Sequence, residues 1–338
     1  MIQVQKLSQW PDGEVADTFV LFTAREQMFT RDKKPYWRVT FRDDTREISF
    51  PIWENSPFAI DCREVWVLGK YYKIRAMLRQ TKYGPNLEIQ RIREATDADI
   101  PDGFDPQMGL VKSSFDPVEM YAEILQTLRE AISEPGLFPL VEYLFEKHHD
   151  AILTASAAQG KHHATAGGFL EHTRNVLRTA LWLADRYAVL VPTNPPLNRG
   201  VVAAAAALHD IGKLRELRQT PAGFEYTSEG MLLGHIVMGR DYVRDAAREL
   251  REKDPDFHLE EETQLRLEHA ILSHQRLPEW GSPKPNMTPE SLLVHYADDI
   301  DAKYYIMAKV LEEASPEVEY TDNRNLLRQT VFRGLKTS

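Results

Sequence analysis

The stretch Ala203–Lys213, AAAAALHDIGK, is the point from which the fold can be read. Alanine is the strongest helix former, and a run of it lets neighbouring helices approach closely. The stretch therefore predicts an interior helix that delivers His209 and Asp210 side by side. Gly212 stands where helices commonly stop. An imidazole and a carboxylate on adjacent residues form a mixed N/O donor pair suited to a divalent metal. Two such donors alone read more readily as a helix end with a capped His and a solvated Asp, so the rest of the chain has to decide.

Composition bounds the alternatives. A chain of 338 residues exceeds the usual single domain, and two domains are expected. Its 43% apolar content can build cores, yet no window approaches the ~18 apolar residues of a membrane span. The N-terminus MIQVQKLSQW has no basic-then-apolar leader, which predicts a cytoplasmic protein without membrane association. A single cysteine, Cys62, excludes an intrachain disulfide and a cysteine-based zinc site. Any metal must then be held by His and carboxylate. The net charge of −10 is uneven: residues 1–97 carry 16 Lys+Arg against 14 Asp+Glu, the remainder 25 against 37. An acidic body with a mildly basic N-terminal module is compatible with an anionic polymer without requiring one.

Residues 1–97 read as strands: Thr18–Ala24, Tyr36–Arg42, Arg46–Trp53, Glu64–Ile74 and Leu87–Ile92, with Asp43-Asp44-Thr45 and Gly84-Pro85-Asn86 as turns. Five strands in this length predict a small barrel of the oligonucleotide-binding (OB) type. Such barrels bind single strands through aromatic faces and a basic groove. Tyr36, Trp37, Phe41, Trp53 and Tyr72 lie among Arg31, Lys33, Lys34, Arg38, Lys73 and Arg75. Lys33, Lys34, Tyr36 and Trp37 are the candidate nucleic-acid contacts, although strand alternation must turn about half of the aromatics inward.

Residues 98–115 are acidic, broken by Pro and Gly, and read as a linker. From Asp116 the pattern is helical, with Asp116-Pro117 as a capped entry. Helices are expected over Val118–Ile132, Leu137–His149, Gly168–Tyr187, Val201–Ile211, Gly230–Glu252, Glu260–Ser273 and Pro289–Ala314. A helical domain thus spans 116–315, followed by a C-terminal segment, 316–338. The expected architecture is multidomain, an OB-like five-stranded β-barrel followed by an all-α domain.

His172, His209-Asp210, His235, His269, His274 and Asp298, with Asp299 and Asp301 nearby, fall on these helices or at their ends. Unpaired polar groups among apolar residues are costly, so their accumulation predicts convergence on metal. His172, His209, Asp210 and Asp298 suit one ion; His235 and His274 suit a second. Two adjacent ions would hold a phosphate and activate water, as in two-metal phosphoesterases. Asp210 and Lys213 are the candidate catalytic residues, Lys213 reaching a phosphate oxygen from one turn past the pair.

This order of residues resembles the HD phosphohydrolases. More narrowly, HHATAGGFLEHT, LHDIGKL, YTSEGMLLGHIVMG, ILSHQRLPEWGSP and HYADDIDAK are similar to the OB-plus-HD 3′→5′ exoribonucleases of the YhaM type. That resemblance covers most of the chain. It implies metal-dependent removal of nucleotides from the 3′ end of single-stranded RNA (or DNA), commonly with Mn2+. At the matched positions it implies His172, His209, Asp210 and Asp298 as ligands of the main metal, and His235 and His274 as ligands of a second. Where that family usually has His and then Gly after His274, this chain has Gln275 and Arg276, which predicts a more weakly held second ion. The alternatives are an HD hydrolase of mononucleotides or signalling nucleotides, with the barrel as a protein-interaction module, and a non-enzymatic RNA-binding protein. Oligomeric state, a homo-oligomer included, stays open.

Overall fold

The computed structural model describes residues 4–30, 32–81, 84–106, 108, 113, 115–158, 165–220, 223–315 and 317–335. Arg31, the His162-His163 pair and part of the expected linker lie outside the described residues. The chain divides into two compact units, Met1–Val111 with Gln219–Gly223, and Lys112–Arg218 with Phe224–Ser338.

The first unit is a five-stranded antiparallel sheet, β1 (Val15–Phe29), β2 (Pro35–Arg42), β3 (Glu47–Trp53), β4 (Tyr71–Thr81) and β5 (Gly84–Glu94). The strand order is β3-β2-β1-β4-β5, with a short helix, α1 (Ala59–Glu64), between β3 and β4. β1 is long enough to pair with β2 along one half and β4 along the other, and β3 and β5 approach each other, so the sheet curls toward closure. This is the expected OB-like order. Its interior is filled by Val20, Phe22, Phe41, Phe50, Ile74 and Leu78.

The fourth strand begins later than the expected Glu64. The sequence there has a strand-like apolar alternation, but Ala59–Glu64 is helical and the chain continues off that helix through Val65 and Trp66, both of whose N–H groups donate to the Asp61 carbonyl. Trp66 is buried against Phe22, Phe41 and Tyr72, while Val65 and Val67 face outward. The expected linker is also partly ordered. Asp97–Asp102 forms a 3-10 helix, and Phe104 and Met108 bury with Phe19, Leu21 and Tyr71.

The second unit is helical: α2 (Pro117–Ala131), α3 (Leu137–Lys147), α4 (His149–Thr154), α5 (Gly168–Leu190), α6 (Arg199–Leu208), α7 (Lys213–Glu216), α8 (Ser228–Lys253), α9 (Glu261–Ser273) and α10 (Pro289–Glu313). A small hairpin, β6 (Leu217–Thr220) and β7 (Gly223–Tyr226), precedes α8 and has no counterpart among the sequence-based expectations. Asp116 caps α2 by accepting from Val118 and Glu119 N–H groups, as its sequence predicts. Every residue of α6 from Gly200 to Leu208 is buried, with α2, α3, α5, α9 and α10 packed around it. Only small side chains permit this: an added methylene in so dense a core costs about 1–3 kcal/mol. Among the described residues no helix is long and apolar enough to cross a membrane.

Candidate metal centre

α6 ends at Leu208, and His209 and Asp210 follow in the turn that leads to α7. Gly212 is needed there for a different reason from the one its sequence suggests. Its backbone is helical (φ −62°), not left-handed, and a Cβ would overlap the His235 carbonyl oxygen and crowd the Gly239 nitrogen of α8. The glycine lets α8 lie directly against the His-Asp turn. Within α8 the helix breaks at Gly234, whose φ of 74° is a conformation that side chains rarely adopt. That kink aims His235 back at Asp210. His172 comes from α5, His274 follows α9, and Asp298 comes from α10.

The six residues expected to bind metal converge. His172 Nε2 lies 3.2 Å from His209 Nε2, 3.5 Å from Asp210 Oδ2 and 3.2 Å from Asp298 Oδ1. His209 Nε2 lies 3.4 Å from Asp210 Oδ2. On the other side of the same carboxylate, Asp210 Oδ1 is 3.4 Å from His235 Nε2 and 3.8 Å from His274 Nε2. Asp210 thus belongs to two donor clusters, one with His172 and His209, the other with His235 and His274.

Each imidazole is anchored at Nδ1 so that Nε2 faces inward. The Nδ1 partners are Asp301 Oδ2 for His172 (2.7 Å), the Ala206 carbonyl for His209 (2.9 Å), Glu216 Oε1 for His235 (3.0 Å) and the Ile271 carbonyl for His274 (2.7 Å). Outer partners of this kind fix the tautomer and orientation of a metal-binding imidazole. Glu216 also accepts from the His235 backbone N–H at 2.9 Å. Nothing in the spacing of KLREL marks Glu216; it is positioned by the α7–α8 contact.

The donor set fits a divalent metal on a second count. Asp210 Oδ1, His235 Nε2 and His274 Nε2 are buried without a hydrogen-bond partner. Leaving such atoms unpaired costs free energy, and in native proteins they call for an ion or water. Burial lowers the His274 imidazole to about 3, with the neighbouring His209 adding to the effect, so it is a neutral donor. Burial would also lower His172, but Asp298 and Asp301 outweigh it and raise its imidazole to about 9. Burial opposes ionisation of Asp210, yet Lys213 and His209 hold its carboxyl well below the usual range. Asp298 is likewise low because His172 and His209 outweigh its burial.

One expectation is corrected. His269 does not join the cluster: its Nε2 accepts from the Met287 backbone N–H at 3.0 Å. Lys213 lies within the site. Its Nζ, buried, donates to Asp210 Oδ2 at 2.6 Å and to the Ala157 carbonyl at 2.5 Å. Gln275, which departs from the His usual in the family it resembles, donates from Nε2 to Asp298 Oδ2 at 3.2 Å. It therefore steadies the carboxylate of the first cluster.

In the barrel, Lys33 and Lys34 are exposed in the β1–β2 turn, where Lys33 takes a left-handed conformation (φ 59°). Tyr36 stacks at a tilt on exposed Trp53, ring centres 4.9 Å apart, while Trp37 packs against the core under the Arg25 guanidinium. Phe41 and Tyr72 are core residues. Arg75 pairs with Asp17, and Lys73 with Asp99 and Asp102, so neither is an uncompensated charge.

Among solved structures, the chain is similar to the second OB-fold domain of replication protein A from Methanococcus maripaludis, at 13% identity over 28% of this chain and 97% of that chain, with a TM-score of 0.22. It is also similar to Entamoeba histolytica asparaginyl-tRNA synthetase in complex with asparaginyl-adenylate, at 11% identity over 77% of this chain and 62% of that chain, with a TM-score of 0.21. Residues 169–303 match the HD domain family. That match, on the stretch that supplies all six converging side chains, supports a metal-dependent hydrolase of the HD superfamily.

Proposed function

We propose that this protein is a metal-dependent phosphodiesterase that removes nucleotides from the 3′ end of single-stranded RNA, with Mn2+ as its metal. The observation that carries the proposal is Asp210 shared between two clusters of Nδ1-anchored histidines. His172, His209, Asp210 and Asp298 would hold one ion; Asp210, His235 and His274 would hold a second. Bound divalent metal supplies charge neutralisation at a phosphate and a nucleophile from water near neutral pH.

The chain's own side chains do the positioning. Asp301, Glu216 and the Ala206 and Ile271 carbonyls keep four imidazoles aimed inward, and Gln275 holds Asp298. Lys213 stays protonated because Asp210 outweighs its burial. It lines a cavity of about 630 Å³ together with His235 and Glu216, which gives a phosphate an approach to the cluster. In the barrel, exposed Trp53 with half-buried Tyr36, close in sequence to Lys33 and Lys34, has the composition of a single-strand platform, stacking bases and holding phosphates.

The test is incubation of the purified chain with 5′-labelled single-stranded RNA and Mn2+. A ladder shortening from the 3′ end is expected. Hydrolysis of mononucleotides with no action on RNA would replace this reading with that of a mononucleotide hydrolase.

A further inference from the structure

The cavity beside the metal cluster has a polar floor and an apolar wall. Lys213, Glu216 and His235 form the floor; Tyr226, Leu233 and Trp280 stand on the wall. Both aromatic rings are substantially exposed, Tyr226 at 43% and Trp280 at 48%. Two exposed aromatic rings in one cavity with a phosphate-competent floor are arranged for a ligand that is anionic at one end and flat and aromatic at the other. We propose that this wall is a nucleobase subsite, in which Trp280 and Tyr226 stack on the base of the nucleotide whose phosphate lies at the cluster. This rests on the nucleotide reading above and deepens it.

Local structure supports the placement of both rings. Trp280 ends the 3-10 turn Pro278–Trp280, which is closed by Gly281 in a left-handed conformation (φ 100°). Its N–H donates to the Leu277 carbonyl, and the Lys303 ammonium sits 5.8 Å from the ring centre. Lys303 is held by Asp299 at 2.8 Å, next to Asp298, so α10 both supplies a cluster carboxylate and props the tryptophan. The same loop returns to Gln275, whose N–H donates to Ser282 Oγ. Tyr226 is fixed from the opposite side. Its neighbour Thr227 donates through N–H to the Glu216 carbonyl and caps α8. Each ring is thus one or two residues from a residue bonded to one that orders the donors, Ser282 to Gln275 and Thr227 to Glu216, so base and phosphate would be gripped by a single connected frame. Base–aromatic stacking is sequence-tolerant, because every base presents a π face. The wall therefore predicts a preference for nucleotides over base-free phosphates, with little preference among the bases.

The experiment compares AMP with ribose 5-phosphate, measured by calorimetry on the full chain with Mn2+, for the wild type, Trp280→Ala and Trp280→Phe. The wild type is expected to bind AMP more tightly than ribose 5-phosphate by about 5- to 150-fold, the range that stacking supplies. Trp280→Ala should collapse that ratio, and Trp280→Phe should keep most of it and show that the loop still folds. Equal affinities in the wild type, or an AMP advantage unchanged in Trp280→Ala, overturns the subsite and leaves the nuclease reading standing. A Trp280-dependent AMP preference in a chain that does not degrade RNA supports the subsite and overturns the nuclease reading.

Discussion

Lys213 and Asp210 form a buried ion pair at the centre of the candidate site, Nζ lying 2.6 Å from Oδ2. Oδ2 is the oxygen that faces His172 and His209, so the ammonium holds the position a cation would otherwise have to compensate. Removing one member of a buried pair leaves an uncompensated charge, at a cost of about 3–5 kcal/mol. Lys213→Met should therefore lower the Tm of the chelated protein. Because metal can supply the missing charge, Mn2+ should raise the Tm of the variant by more than it raises the wild type. Thermal unfolding with and without chelator checks both; an unchanged Tm in the chelated variant would count against the pair's importance.

Asp210 serves both clusters, whereas His235 serves one. Asp210→Asn should abolish tight binding of metal altogether, and His235→Ala should remove one ion while His172, His209, Asp210 and Asp298 retain the other. Elemental analysis of dialysed protein reads the stoichiometry directly. Identical metal content in His235→Ala and the wild type would restrict the centre to a single ion.

Gln275 acts on the first cluster through Asp298. Outer partners of this type are worth roughly 10–100-fold in metal affinity. Gln275→Ala should weaken the first ion by a factor in that range and leave the His235–His274 side intact. A competitive chelator titration, resolved into two steps, would show which step moves.

For the barrel, the Tyr36–Trp53 pair and the β1–β2 turn lysines should separate into two effects. Trp53→Ala is expected to weaken single-stranded RNA binding about equally at low and high salt, because stacking is not ionic. Neutralising Lys33 and Lys34 together should weaken it mainly at low salt and flatten the salt dependence. Fluorescence anisotropy at several salt concentrations distinguishes them. RNA affinity unaltered in both variants would make the barrel a protein-contact surface.

Glu249 ties α8 to α3 through Lys147, at 2.8 Å, and Tyr143, at 2.5 Å. These partners lower its carboxyl from 4.5 to about 2. A carboxyl depressed in the folded state contributes stability above its unfolded value and loses it as pH falls toward the folded one. Glu249→Gln should accordingly unfold at lower urea than the wild type at pH 6, and the two should converge as pH drops from about 4.5 to about 2. A difference that persists at the acid end would mean that Glu249 contributes by packing and not by charge.

The linear chain carried the helix of alanines, the His-Asp pair and the barrel's apolar alternation, because helix propensity and strand periodicity are local properties. It also carried all six clustering side chains, since polar residues stranded in apolar helices stand out by type alone. It could not carry the anchors. Glu216, Asp301 and the Ala206 and Ile271 carbonyls matter only because helix packing brings them to an Nδ1 atom, and the bonds of Gln275 to Asp298 and of Lys213 to the Ala157 carbonyl are likewise made by packing. Gly212 shows the same division. Its identity is plain in the sequence, but its reason is the close passage of α8, a contact between segments more than twenty residues apart. The fourth strand was misplaced on similar grounds: the alternation of Val65, Trp66 and Val67 matches a strand locally, and only the burial of Trp66 against Phe22, Phe41 and Tyr72 makes that segment the exit from a helix. Periodicity and residue type are set by nearest neighbours, whereas hydrogen-bond partners and close approaches are set by whatever the tertiary fold places within a few ångströms.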